Sequence, residues 1–330
     1  MFEALGHYRI LDRIGTGGIG EVYRARDTRH GRTTAIKIVA REIAANPDRR
    51  QRFLLDAQAA AALSHPNIAA LYEIGEDQNE LFLVFEFVPG EPLDRVIGGR
   101  PLNPRRAVDF AAQVADALAE AHAHAVVHRD ITPENIIITP KEKAKILDFG
   151  LAAWTRGGAA RTRAAGASRA AMTAAAAARR TLAYLSPEQA RGDPVDHRTD
   201  IFSAATVLFE MLTGRQPFAA STADALIEQI VQARPVAPST ITSTVPQELD
   251  TVVARALAKH PDERYESAAT LSAELRQVAA LLDARTERSD SSGRSPLPVL
   301  RNRRGSRIRW IVLAAVAAVL AAAAFCVLPR

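Results

Sequence analysis

The segment AVVHRDITPENIIITPKEKAKILDFG, residues 125–150, holds the most informative pattern of the chain. Its apolar runs IIIT and AKIL, joined through a Pro-Lys pair, predict a short β-hairpin. Asp130 follows the strand-like run AVV, where a carboxylate can accept the proton of a hydroxyl group. Asn135 and Asp148 stand on either side of the hairpin and offer the hard oxygen ligands that Mg²⁺ prefers. This order of residues predicts a catalytic site that holds a metal ion.

A glycine-rich stretch with the spacing G-x-G-x-x-G lies at residues 15–20. By itself this spacing also occurs in plain glycine turns and in dinucleotide-binding turns, and the latter are followed by a helix. Here the strand-like run EVYRARD follows, so we predict a hairpin loop whose backbone N–H groups lie over phosphates. The loop residues assigned to phosphate binding are Gly15, Thr16, Gly17, Gly18 and Gly20.

Lys37 lies within the apolar run AIKIV, where burial of an ammonium group requires a neutralising partner. The partner is expected on the next helix, which the spacing of apolar residues predicts over residues 48–64. Asp56 is the best-placed carboxylate on this helix, while Asp12 and Glu42 are alternatives outside it. A lysine that snorkels from an edge strand is the competing interpretation.

Strand and helix patterns are distributed unevenly along the chain. Before residue 90, β-branched and aromatic runs predict five strands, at YRILDRIG, EVYRARD, TTAIKIVA, IAALYEIGE and ELFLVFEFV. Helical periodicity then predicts helices over residues 104–124, 198–213, 249–260 and 268–282. We therefore expect a β-rich N-terminal lobe and a helical C-terminal lobe with a cleft between them.

Together, these motifs resemble those of bacterial eukaryotic-like serine/threonine protein kinases over residues 8–280. The resemblance implies an α+β, bilobal protein kinase fold, with an N-lobe over 8–86, a C-lobe over 91–280 and an activation loop over 148–188. It implies a kinase that transfers the γ-phosphoryl group of MgATP to Ser or Thr hydroxyls of protein substrates. Mn²⁺ is an alternative metal ion, and nucleic acid is not expected as a partner.

The resemblance also implies roles for individual residues. Catalytic roles fall on Asp130, Lys37, Asn135 and Asp148, and the metal ligands among them are Asn135 and Asp148. Nucleotide contacts beyond the glycine loop fall on Val22, Ala35, Lys37, Asp56, Glu86 and Val88. Glu188 is expected to pair with Arg264, and Asp200 to brace the catalytic loop.

Several positions depart from the family pattern, among them Asp56, Thr132 and Arg180. Asp56 stands where the family has Glu, which is one methylene longer. Thr132 replaces a catalytic-loop lysine that contacts the γ-phosphate, and the loss of one such cation costs about 10²-fold in rate. Arg180 precedes Thr181 where the family has glycine. These departures keep a pseudokinase scaffold open as an alternative, and a small-molecule phosphotransferase as a third interpretation.

Residues 151–180 contain fourteen alanines, six arginines and no acidic residue. This composition predicts a long loop rather than a packed element. We hypothesise autophosphorylation at Thr162 or Thr173, because the arginines attract new phosphates. Arg129, directly before Asp130, marks the subclass that loop phosphorylation switches on. A low-complexity insertion without a regulatory role is the alternative.

The net charge of +5 arises in the C-terminal tail, where residues 283–309 carry eight arginines and three acidic residues. The uncharged segment 310–328 follows, and at about 1.5 Å per residue a helix of this length spans a bilayer. We predict a basic juxtamembrane linker and one transmembrane helix in the inner (cytoplasmic) membrane, with the kinase domain in the cytoplasm and the C-terminus outside. The arginines are expected to contact anionic lipids, and a homodimer to phosphorylate itself in trans. A buried core helix and a plain solvated linker are the alternatives.

The composition excludes several classes of protein. A chain of 330 residues with 48% apolar residues has ample core for two lobes and is not mostly disordered. The single cysteine, Cys326, cannot form an intrachain disulfide. The eight histidines are scattered and have no cysteine partners, so the sequence predicts no zinc module.

Overall fold

The N-terminal part of the chain forms a six-stranded antiparallel sheet. The computed structural model describes residues 3–17, 19–151, 154 and 181–293. The strands of this sheet are β1 (Ala4–Leu5), β2 (Tyr8–Gly17), β3 (Gly20–Asp27), β4 (Thr33–Ile38), β5 (Leu71–Asp77) and β6 (Glu80–Glu86). Their order is β1-β2-β3-β4-β6-β5, so that β4 lies in the middle. Five of the strands were expected from their apolar runs, whereas β1 has only two residues and is too short to predict.

The hairpin between β2 and β3 contains the glycine-rich stretch, as predicted. A side chain at Gly20 is excluded, because a Cβ atom there would lie 1.8 Å from the carbonyl oxygen of Ile38. Ile19 is buried in the core of this lobe. The hairpin is therefore held against the end of β4, next to Lys37. Gly18 lies outside the described residues.

Two helices follow β4, namely α1 (Arg41–Ala44) and α2 (Pro47–Ala61). At the start of α2, the side chain of Asn46 accepts a hydrogen bond from the backbone N–H of Arg49 at 3.0 Å, which caps the helix. Phe53 and Ala57 are buried on its inner face. The helix ends at Ala61, three residues before the predicted end, and it carries Asp56.

A second sheet and eight helices form the described part of the C-lobe. The sheet has the order β7 (Glu91–Pro92), β8 (Ile136–Ile138) and β9 (Ala144–Ile146), in which β8 and β9 form the predicted hairpin. The helices are α3 (Leu93–Ile97), α4 (Pro104–Ala123), α5 (Pro187–Arg191), α6 (Arg198–Thr213), α7 (Ala223–Gln232), α8 (Pro238–Ile241), α9 (Gln247–Ala256) and α10 (Ala268–Gly293). The sequence predicted α4, α6, α9 and α10, of which α10 continues beyond its predicted end at residue 282.

The core of the C-lobe lies between α4 and α6. Phe110 and Leu118 on α4 and Phe202 and Phe209 on α6 are almost completely buried in one apolar cluster. Burial of large apolar side chains of this kind is the main source of stability in such a lobe. Between α4 and β8 the chain forms the loop that contains Asp130, so this core supports the loop directly.

Within the part of the chain that the structure describes, no helix is both long and apolar enough to cross a bilayer. The predicted transmembrane segment 310–328 lies outside the described residues, as do residues 294–309 of the basic linker. Residues 155–180 of the predicted activation loop also lie outside them. These predictions stay predictions.

Candidate active site

The catalytic loop, residues 128–135, is held in place by Asp200 on α6. Asp200 is completely buried, and its carboxylate accepts hydrogen bonds from the backbone N–H groups of His128 at 2.8 Å and Arg129 at 2.7 Å. The imidazole of His122 on α4 contacts the same carboxylate at 2.9 Å. The expectation that Asp200 braces this loop is therefore confirmed.

Asp130 and Asn135 are joined directly. The side-chain nitrogen of Asn135 donates to the backbone carbonyl of Asp130 at 2.9 Å and to its carboxylate at 3.3 Å. His128 lies beneath them, where Nδ1 accepts from the backbone N–H of Asp130 at 3.2 Å. Its Nε2 lies 2.8 Å from the carbonyl oxygen of Leu147, the residue before Asp148. One imidazole thus links the catalytic loop to the end of the hairpin.

The backbone is strained on both sides of this link. Arg129 has a φ of 67° and Asp148 a φ of 65°, in the left-handed region that residues other than glycine seldom occupy. Such conformations persist only where surrounding contacts fix them, and they cluster at functional sites. The bonds to Asp200 and the edge-on packing of His128 against Phe149, with ring centres 4.7 Å apart, are those contacts.

Lys37 on β4 forms an ion pair with Asp148. The lysine is mostly buried, and its ammonium group also lies 5.5 Å from the ring centre of Phe85 on β6. Because Lys37 belongs to the N-lobe and Asp148 follows β9 of the C-lobe, this pair crosses the cleft. It brings together the side chains predicted to bind phosphate and metal ion.

The predicted ion pair between Lys37 and Asp56 is not formed in this structure, although both side chains are described. The carboxylate of Asp56 instead accepts a hydrogen bond from the indole Nε1 of Trp154 at 2.8 Å. The indole also packs edge-on against Phe53, one turn earlier on α2, with ring centres 5.5 Å apart. The side chain of Asp56 is one methylene shorter than the glutamate expected there. Trp154, in the segment after Asp148, lies close enough to donate a hydrogen bond to it.

Trp154 is a site residue that sequence reasoning missed. Leu151 is completely buried, and its carbonyl accepts from the backbone N–H of Trp154 at 3.0 Å. Both side chains extend the buried cluster that α2 forms with the first sheet. The sequence does contain one indication of this contact, a single tryptophan within a run of alanine and arginine. So large an apolar side chain in such a run indicates a specific packing contact.

The residues predicted to contact the adenine lie on the sheet and the connector. Val22 belongs to β3, Ala35 to β4 and Glu86 to the end of β6, and Val88 follows in the connector. The carboxylate of Glu86 pairs with Lys145 on β9 at 2.7 Å. The side chain of Glu86 is thus engaged with β9, and the prediction for Glu86 rests on its backbone.

Comparison with known proteins identifies the fold family. The profile of the protein kinase domain matches residues 8–275. The chain belongs to the protein kinase family. The chain is similar to serine/threonine-protein kinase PknB of Mycolicibacterium smegmatis, with 39% identity over 341 residues, which cover 95% of this chain and 53% of that protein. It is also 39% identical to PknB of Mycobacterium leprae over 276 residues, covering 82% of this chain and 43% of that protein.

This kinase chain spans about half or less of the length of those curated relatives. Among solved structures, the crystal structure of the Mycobacterium tuberculosis PknI kinase domain covers 83% of this chain and 97% of that domain, with a TM-score of 0.63 and 24% identity. At this identity the likeness shows the fold alone. The predicted bilobal fold, with a β-rich N-lobe and a helical C-lobe, is confirmed.

The kinase domain also contains the predicted pair between Glu188 and Arg264. The guanidinium donates to both carboxylate oxygens at 2.7 Å, and both side chains are almost completely buried. Arg264 donates further to the carbonyl oxygens of Ala258 at 2.8 Å and Arg198 at 3.0 Å. Burial alone would raise the pKa of Glu188, but hydrogen bonds from Arg264 outweigh it and lower this pKa below its ordinary value. The pair ties α5 to the segment before α10.

Proposed function

We propose that this chain is an ATP-dependent serine/threonine kinase that transfers the γ-phosphoryl group of ATP to Ser or Thr hydroxyls of protein substrates. The observation that carries the proposal is one constellation in the cleft. Asn135 is hydrogen-bonded to Asp130, and Lys37 is ion-paired with Asp148. Membership of the protein kinase family supports the same activity.

Each of these side chains has a separate task in the proposed reaction. Asp130 orients the attacking hydroxyl and accepts its proton. Lys37 binds the α- and β-phosphates. Asn135 and Asp148 suit Mg²⁺, or Mn²⁺ in its place, because the amide nitrogen of Asn135 donates to Asp130 and leaves the amide oxygen as a ligand. When bound, the metal ion neutralises charge on the phosphates.

The nucleotide is proposed to lie beneath the glycine hairpin. Backbone N–H groups of residues 15–20 contact its phosphates, since glycines leave the backbone open to a ligand. Val22 and Ala35 pack against the adenine, and the backbone of Glu86 and Val88 binds its edge. Asp56 is proposed to orient Lys37 once its bond to Trp154 is broken.

The alternative, a pseudokinase scaffold, draws on Thr132 and on the engagement of Asp56 with Trp154. Against it, the proposed base, both metal ligands and the phosphate-binding lysine are all present. The direct test is incorporation of phosphate from labelled ATP with Mg²⁺ by the full chain, into itself and into a Ser/Thr peptide mixture. ATP binding without any transfer would favour the scaffold.

Thr132→Lys is expected to raise the rate of phosphate transfer. Thr132 is a buried, uncharged side chain two residues after Asp130, where a lysine would place one more cation near the transferred phosphoryl group. Loss of a single positioned donor costs about 10²–10³-fold in well-studied enzymes, so we expect a gain of about tenfold or more. Initial rates at saturating ATP measure it.

The matched control is Thr132→Met, which adds length without charge. If the Met variant gains as much as the Lys variant, the effect comes from packing and the missing cation is not the cause. If neither variant changes the rate, the chain compensates for the lysine elsewhere.

Trp154→Phe is expected to speed transfer and to tighten ATP binding. Phenylalanine keeps a ring against Phe53 but cannot donate to Asp56, which is then available to Lys37. A hydrogen bond to a charged group contributes about 1.5–3 kcal/mol, so roughly a tenfold shift toward the Lys37–Asp56 pair is expected. Initial rates and the Kd for MgATP measure it.

The same substitution made together with Asp56→Asn separates the two explanations. Asparagine attracts Lys37 much less, so the double variant should lose the gain. An equal gain with and without the Asp56 carboxylate would show that Trp154 acts by another route.

We further propose a membrane anchor after a kinase domain that extends over residues 8–280. Segment 310–328 is long enough to span a bilayer, and the arginines of the linker at 283–309 precede it. This places the kinase domain in the cytoplasm, with the arginines near anionic lipids. Fractionation of the full chain against a chain ending at residue 309 tests this, and equal recovery in membranes would contradict it.

Regulation is proposed to act through the loop over residues 148–188. Phosphates on Thr162 or Thr173 would attract the six arginines between residues 151 and 180. A homodimer brought together at the membrane would allow one chain to phosphorylate the other. Phosphosite mapping by mass spectrometry of the active protein tests the assignment.

A further inference from the structure

Two imidazoles and a carboxylate lie together at the turns of the first sheet. His7 lies between β1 and β2, Asp27 is the last residue of β3, and His30 belongs to the turn between β3 and β4. Pairing of β2 with β3 places Tyr8 opposite Asp27 and so brings the two turns side by side. One ligand atom from each of the three side chains lies within 4.8 Å of the others.

Asp27 is the centre of this cluster. Its completely buried carboxylate has Oδ2 at 2.9 Å from Nδ1 of His30 and Oδ1 at 3.6 Å from Nε2 of His7. A tetrahedral metal ion with ligand bonds of about 2.0–2.1 Å holds its ligand atoms about 3.4 Å apart. The separation of 3.6 Å is close to that value, whereas the separation of 2.9 Å is that of a hydrogen bond between His30 and Asp27, which a bound ion would replace.

His7 supplies an independent observation. Its Nε2 is buried and has no hydrogen-bond partner among the residues that the structure describes. Two carboxylates face this nitrogen beyond hydrogen-bond distance, Asp27 Oδ1 at 3.6 Å and Glu73 Oε2 at 4.0 Å. Buried ring nitrogens are normally hydrogen-bonded or bound to a metal ion. These distances suit a shared metal ion better than a direct hydrogen bond.

Glu73 lies next to one member of the set, His7. It lies on β5, and its Oε2 accepts a hydrogen bond from the hydroxyl of Tyr8 at 2.7 Å. Hydrogen bonds of this kind orient ligands at metal sites. The same oxygen of Glu73 lies 4.0 Å from Nε2 of His7, so Glu73 is a candidate for the fourth ligand, with water as the other.

Asp27 also has a structural role, of which metal binding leaves the backbone hydrogen bonds intact. Its Oδ1 accepts from the backbone N–H groups of Arg29 at 3.0 Å and His30 at 2.9 Å, which fix the turn. Arg32 donates to Oδ2 at 3.2 Å, with its guanidinium 3.5 Å from the ring centre of Tyr72. If a metal ion replaces Arg32 at the Asp27 carboxylate, the stacking on Tyr72 still holds the guanidinium of Arg32 in place.

We propose that His7, Asp27 and His30 bind a divalent transition-metal ion, Zn²⁺ in particular, with Glu73 or water as the fourth ligand. Two imidazoles and a carboxylate are a donor set that Zn²⁺ favours and that Mg²⁺ does not. The side chain of His30 is 63% exposed, so the ion reaches the site from solvent. Bound there, it joins His7, before β2, to the end of β3 and to the turn that follows β3.

Co²⁺ is the probe for this site, because tetrahedral Co²⁺ with nitrogen ligands absorbs visible light far more strongly than octahedral Co²⁺ with oxygen ligands. Co²⁺ at the Asn135 and Asp148 site therefore does not interfere. The full chain is expected to bind one equivalent of Co²⁺ with tetrahedral bands, which Zn²⁺ then removes. His30→Ala, in an exposed turn, is expected to abolish the bands. His124→Ala, which removes an exposed histidine of the C-lobe, is expected to keep them.

Thermal unfolding gives a second readout. Zn²⁺ is expected to raise the Tm of the wild type and of the His124→Ala variant, and to leave that of His30→Ala unchanged. Two results would overturn the proposal: the absence of tetrahedral bands in the wild type, or bands of equal strength in the His30→Ala variant.

Discussion

Asp130→Asn is expected to lower the rate of phosphate transfer by about 10²–10⁴-fold, the range for loss of a positioned general base. Asparagine has nearly the same size, and its side-chain oxygen can still accept the bond from Asn135, but it cannot take up the proton. Lys37 and the glycine hairpin are unchanged, so the Kd for MgATP should stay as in the wild type. Initial rates with labelled ATP and calorimetric titration measure the two quantities.

Asp109→Asn is the matched control, because Asp109 is a half-exposed carboxylate on α4 outside the catalytic loop. It should transfer phosphate at the wild-type rate. Wild-type activity in Asp130→Asn would remove Asp130 from the mechanism. Loss of ATP binding together with transfer would indicate that the substitution disturbs the fold of the loop instead.

Arg264→Met is expected to lower the free energy of unfolding by about 3–5 kcal/mol, because it leaves Glu188 as a buried charge without its partner. The guanidinium also satisfies the carbonyl oxygens of Ala258 and Arg198. Urea denaturation measures the loss. Because pairing lowers the pKa of Glu188, the wild type holds this advantage above the ordinary glutamate pKa and loses it as the pH falls below about 4.

Arg191→Met provides the comparison, since Arg191 pairs with Asp193 at the surface. Exposed pairs contribute about 0–1 kcal/mol, so this variant should be close to the wild type. Glu188→Leu added to Arg264→Met removes the stranded charge and should recover part of the loss. If Arg264→Met is as mild as Arg191→Met, the pair does not stabilise the domain.

The longer elements could be predicted because their patterns are local. The bounds of α6 follow from its apolar spacing, and the β8–β9 hairpin follows from two apolar runs around a turn. Short elements such as α3 (Leu93–Ile97) and α5 (Pro187–Arg191) could not be predicted in the same way. Fewer than two turns carry too little periodicity, and tertiary contacts decide whether they form.

Within the site, contacts between residues close in sequence were easier to predict than contacts between distant ones. Asp130 and Asn135 stand five positions apart in one loop. The partner of Lys37 depends on whether Asp56 on α2 or Asp148 after β9 lies nearer, which no local pattern encodes. Trp154 was missed for the same reason.

The expectation of no zinc module rested on spacing along the chain, where two histidines 23 positions apart look unrelated. Strand pairing brings His7 and His30 to one carboxylate. Only the register of β2 against β3 reveals this.

Because Asp200 holds the catalytic loop, the two lobes contribute different parts of the site. Asp200 and its donors all belong to the C-lobe, so the place where an acceptor hydroxyl binds is built without the N-lobe. Lys37 reaches its partner Asp148 across the cleft. Substitutions in the first sheet should therefore change the affinity for the nucleotide and leave binding of the acceptor hydroxyl unchanged. Substitutions next to Asp200 should change binding of the acceptor and leave nucleotide affinity unchanged.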